Sequence, residues 1–82
     1  GLDDLEGHAT RLDALVALER TDDIEAHAPA LVISGTYVEP FALHALGWAG
    51  GDRDMFARAV AAFEAMGLTW HAERTERAMA RI

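Results

Sequence analysis

The sequence predicts an all-α fold: about five helices arranged as antiparallel hairpins in one helical-repeat domain over residues 1–82. Three observations carry that expectation. Apolar residues recur at helical spacing in successive segments. The breaks between segments fall on Gly, Pro and residues suited to helix caps. No stretch reads as a strand.

The first helix is expected over residues 3–20, because Leu5, Ala9, Leu12 and Val16 follow i, i+4, i+7, i+11 while Asp3, Glu6, Arg11 and Asp13 lie on other faces. Thr21 is placed to cap a second helix over 22–33, with Asp22 and Asp23 at the positive end of its dipole. Pro29 lacks an amide hydrogen and crowds the preceding turn, so this helix is expected to kink near Glu25–Ala26 or to start late, and Ser34-Gly35 ends it. Thr36-Tyr37-Val38-Glu39 has the form of a capping box opening a third helix over 37–49, although Pro40 suits the first helical position. Gly50-Gly51 supplies a left-handed turn, Asp52 caps a fourth helix over 53–66, and Gly67 ends it. Thr69 is expected to cap a fifth helix over 69–81, whose stripe is Ala72, Thr75, Met79 and Ile82, with Glu73 and Arg77 exposed at i, i+4.

Composition limits the chemistry. At 82 residues and 51% hydrophobic, the chain makes one domain that buries only about 60% of its unfolded surface and is marginal by itself. Cysteine is absent, which removes disulfides, thiolate metal sites and a Cys nucleophile. There is no long apolar run and no signal-like start, so no membrane association is expected and a cytoplasmic setting is. Nine acidic residues and two Arg precede Pro40, giving −7, whereas the remainder carries five of each. That acidic half repels a phosphate backbone, so direct nucleic-acid binding is not expected; it is a solvated face or an acidic docking surface.

The glycines around Trp48 raise the question of a phosphate loop. Such loops need a Gly-rich motif after a strand, with Lys in the Walker type. This chain has neither strand nor Lys, and Asp52 and Asp54 would repel phosphate at the helix start. The glycines therefore read as a tight turn between two helices. Metal binding is not expected, since Asp23 and His27 stand i, i+4 but no second pair completes a ligand set. His8, His44 and His71 lie in three separate helices, and Ser34 is the only Ser, so no nucleophile–base arrangement can be assembled. No enzyme activity and no cofactor are expected.

Leu46, Gly47, Phe56, Ala59 and Phe63 recur at the spacing of the tetratricopeptide repeat, and the segment from Pro40 to Met66 resembles that family. The resemblance implies a helical-hairpin solenoid in which Gly47 and Ala59 let two helices approach while Leu43, Leu46, Phe56 and Phe63 fill the crossing. Gly50, Met66 and His71 depart from the family pattern. Thirty-four residues upstream of Leu46, Leu12 matches it but Asp13 replaces the glycine, so the first two helices resemble a degenerate repeat. "AAFEAMGLTWHAERT" and "YVEPFALHALG" are also similar to the C-terminal end of helical-repeat regions in large actinobacterial signalling and transcriptional regulators. The missing initiating Met and the unfinished stripe at Ile82 lead to the expectation of a segment of a longer protein.

On the third helix the expected core face is Leu43, Leu46, Gly47 and Gly50, which leaves Phe41, His44 and Trp48 at i, i+3, i+7 on another face. By the resemblance, that face lines a groove taking a peptide or a neighbouring domain, and these three residues are the candidate partner-binding site; the other reading packs Phe41 and Trp48 under the second or fifth helix. Trp70 is expected to clamp the fifth helix onto the fourth. The expected function is a protein–protein interaction or regulatory module. The alternative is homo-oligomerisation, a dimer closing the edge at Met79 and Ile82 or pairing the Leu-rich first helix.

Overall fold

The computed structural model describes residues 5–82, with side chains from Gly7 onward, and among these the fold is all-α with no strand. The helices are α1 (Leu5–Ala17), α2 (Thr21–His27), α3 (Glu39–Gly50), α4 (Arg53–Ala65) and α5 (Thr69–Met79), with a 3-10 turn at Ala28–Leu31 after α2. Asp3 and the side chain of Leu5 lie outside the described residues.

The first helix stops three residues short of its expected end. Glu19 adopts a left-handed conformation (φ 56°), and the Glu19 and Arg20 amides donate to the carbonyls of Val16 (3.0 Å) and Leu15 (2.9 Å). These two bonds close a Schellman turn built on a residue other than glycine. The terminus of α3 has the same left-handed turn at Gly51 (φ 61°), and the Asp52 amide donates to the Gly47 carbonyl at 2.9 Å.

Caps separate the helix starts that were read correctly from those that were not. The Asp52 carboxylate accepts from the amides of Asp54 (3.0 Å) and Met55 (3.3 Å), the expected N-cap of α4. Thr21 and Thr69 do not cap. They are the first helical residues, preceded by Arg20 and Leu68, neither of which makes a side-chain cap bond. The capping box at Thr36 is also not formed: the Thr36 hydroxyl donates backward to the Ile33 carbonyl at 2.7 Å, and Glu39 accepts from the Gly35 amide at 3.3 Å. Pro29 neither kinks α2 nor delays it. The α-helix ends at His27 and the chain tightens into the 3-10 turn, with Pro29 near its start, where its missing amide hydrogen costs no bond.

The largest departure from the sequence reading concerns α3. Pro40, Phe41, Ala42, Leu43, His44, Ala45 and Gly47 are all buried, and α3 packs against α1, α2, α4 and α5. It is the central helix. A helix apolar on every side is a buried one, so no single face of α3 is the core face, and Gly50 is exposed while Leu46 is partly buried. At the α3–α4 crossing a Cβ on Gly47 would fall 2.9 Å from the Phe56 ring and 3.1 Å from the Phe56 amide nitrogen. Glycine is thus what lets the two helices approach this closely. Phe56, Ala59 and Phe63 are 1%, 0% and 0% exposed and form the α4 side of the contact. Phe63 meets Phe41 edge-on at 5.0 Å between ring centroids, and both lie 5.2 Å from the His71 ring of α5.

Candidate functional site

Helices α1, α3 and α5 enclose a groove of about 300 Å³ lined by Asp13, Val16, Ala17, His44, Trp48, Arg74, Arg77, Ala78 and Arg81. Helical spacing builds both walls. On α5, Arg74 and Arg77 stand at i, i+3, with Arg81 in the turn just past its end, and on α3, His44 and Trp48 stand at i, i+4, so the residues of each helix share one face. Three guanidinium groups therefore border a single cleft on a chain whose net charge is −7.

Arg74 is held in place. Its Nη2 donates to Asp13 Oδ1 at 3.0 Å, and its guanidinium carbon lies 5.2 Å from the Trp70 ring centre. Its Nε is buried and has no hydrogen-bond partner among the described residues. Arg77 and Arg81 are exposed, and among the described residues neither forms an ion pair or side-chain hydrogen bond, so their donors are open to an anion.

His44 forms the floor. It is 3% exposed, stacks edge-on against Phe56, and its Nδ1 lies 2.8 Å from the Thr75 Oγ1. Thr75 donates its only hydroxyl proton to the His71 carbonyl at 2.9 Å. It can therefore only accept from His44, which assigns the ring proton to Nδ1 and leaves Nε2 as an acceptor. Burial drives the His44 pKa down from 6.5 to about 4, the Arg74 charge lowers it further, Asp13 opposes the shift and His71 adds to it. His44 is neutral at pH 7.

The candidate residues are thus separated by the fold. Phe41 and His44 are each 3% exposed, so they offer a partner little surface; because α3 is central, the face assigned to binding is packed under α5. Trp48 is half-buried and reaches the groove. Leu46, Gly47, Phe56, Ala59 and Phe63 gather at or near the α3–α4 contact. Trp70 does not clamp α5 onto α4: it is 59% exposed, and its ring rests on Arg74 and His71 of its own helix. The sequence reading missed the arginine row. Its i, i+3, i+7 spacing was visible, but Arg77 was read only as a partner for Glu73.

Asp23 pairs with Arg20 at 2.7 Å, and among the described residues no group of three or more His, Asp or Glu side chains could hold a metal ion. No described helix is long and apolar enough to cross a membrane. Comparison with known proteins finds no matching family model, no matching curated protein and no matching solved structure.

Proposed function

We propose that this chain is a non-catalytic protein-interaction module of tetratricopeptide-like type, acting in the cytoplasm, whose α1–α3–α5 groove receives an acidic segment of a protein partner. One observation carries the reading: Arg77 and Arg81, which form no ion pair or side-chain hydrogen bond among the described residues, border with Arg74 a groove ending on Trp48 in an otherwise acidic molecule. Arginine forks recognise carboxylates bidentately, and an aromatic edge gives apolar anchorage. The close α3–α4 approach at Gly47 and the side-by-side placement of α1, α3 and α5 support the tetratricopeptide-like reading. The module needs no cofactor, and the acidity of its first half disfavours nucleic acid as the partner.

The test is an amide-resolved NMR titration with an Asp- and Glu-rich peptide. Shifts should concentrate at Asp13, Trp48, Arg74, Arg77 and Arg81 and vanish in Arg77→Glu. A peptide that moves none of these amides, or moves them equally in Arg77→Glu, overturns the proposal.

A further inference from the structure

The acidic segment that fits this groove is present on the same molecule. Directly after Val16 and Ala17, which line the groove, the chain turns a corner at which Leu18 is 68% exposed. Glu19 and Asp22 stand exposed beside it, and Glu19, Arg20, Thr21, Asp22 and Asp23 border a shallow polar depression. The corner is preformed. The left-handed Glu19, its two backbone bonds to α1 and the Arg20–Asp23 ion pair at 2.7 Å fix its shape before any contact is made.

We propose that the groove is an interface between two copies of this chain, in which the α1–α2 corner of each copy seats in the α1–α3–α5 groove of the other. The inference rests on the groove being a docking site and names its occupant. Leu18 would enter between Trp48 and Ala78 of the partner copy, while Glu19 and Asp22 meet Arg77 and Arg81. Corner and groove are contiguous through Val16 and Ala17, so one face carries both complementary halves. A face of that kind satisfies itself across a two-fold axis, and assembly stops at the dimer. The same charge distribution explains why Arg77 and Arg81 have no ion-pair partner among the described residues: the opposing carboxylates of Glu19 and Asp22 lie at the neighbouring corner, where they are exposed in a single copy.

The experiment is sedimentation of the chain over a hundredfold range of concentration at low and high salt, with two double variants. One reverses the groove (Arg77→Glu with Arg81→Glu) and the other reverses the corner (Glu19→Arg with Asp22→Arg). All four residues are exposed, and circular dichroism checks that both variants are helical. The wild-type chain should approach twice its 8.9 kDa mass, with a dissociation constant that rises at least about tenfold at high salt. Each variant alone should be monomeric, and an equimolar mixture should recover a one-to-one dimer, because each then offers the charge the other needs. A wild-type chain that stays monomeric throughout overturns the inference, as does a dimer that survives in both variants alone. A synthetic peptide of residues 17–25 separates this failure from that of the docking site. A monomeric chain whose groove amides shift on adding the peptide removes the second copy as occupant and leaves an acidic partner; a monomeric chain that ignores the peptide removes both.

Discussion

Acidification should destabilise this domain through His44. The sign follows from the direction of its shift: the folded state holds the imidazole at about 4, against 6.5 for a solvated imidazole in the unfolded chain, so between these values the unfolded chain binds more protons. Stability is complete above about pH 6.5 and falls as pH drops toward 4. The full separation corresponds to about 3 kcal/mol. Over the window from about pH 7.5 to about pH 5.5, which stays above the isoelectric point of about 4.8, His44 accounts for about 1 kcal/mol. For a domain of this size, total stability is about 4–12 kcal/mol and a loss of about 1 kcal/mol lowers Tm by about 4–8 °C. The assay is urea unfolding followed by helical circular dichroism at several pH values, with His44→Gln as reference, because an amide can donate to Thr75 but does not titrate. The pH dependence of the wild type should exceed that of His44→Gln by about 1 kcal/mol across the window. Burial also lowers His71, in the same direction, so His71→Gln should remove part of what remains. Equal slopes in wild type and His44→Gln would refute the assignment of His44 as a buried neutral group.

Other consequences are local. Thr75→Val leaves the His44 Nδ1 hydrogen without an acceptor and should cost about 1–3 kcal/mol in denaturant unfolding, well above the effect of a surface change. Asp52→Ala removes two cap bonds and should cost about 1 kcal/mol, while Thr21→Ala and Thr69→Ala, which remove no cap, should stay within about 0.5 kcal/mol. Gly47→Val puts new atoms against Phe56 and should destabilise by about 1–3 kcal/mol despite the better helix propensity; an unchanged midpoint would mean the helices can separate freely. Glu19→Gly relieves a left-handed strain and should raise the melting temperature, with a gain of about 1 kcal/mol.

What was legible in the sequence was the set of elements, because helices and their ends are decided locally. The stripe at Ala9 and Leu12, the cap at Asp52 and the turn at Gly51 need only neighbouring residues to act, and each is found where the pattern put it. The local errors share one cause. Thr21, Thr36 and Thr69 are good caps by type, but a hydroxyl can also bond backward, as Thr36 does to Ile33, or leave the cap position to the residue before it.

The site was only partly legible. Reading α3 as a helix with one core face put Phe41 and His44 on a binding surface; the apolar residues all round it, from Phe41 to Gly47, were the available sign that it would be buried. Of the three, Trp48 borders the groove half-buried, His44 lies buried in its floor, and Phe41 does not line it.

The sequence by itself determined that the chain is helical, where its helices turn, and that its negative charge lies before Pro40, since these follow from residue type and spacing along the chain. Only the tertiary structure decided that α3 is central, that His44 is buried against Thr75 thirty-one residues away, and that Arg74, Arg77 and Arg81 face Trp48 across one groove. Those contacts join residues from separate helices, and they depend on how closely Gly47 lets α3 and α4 pack.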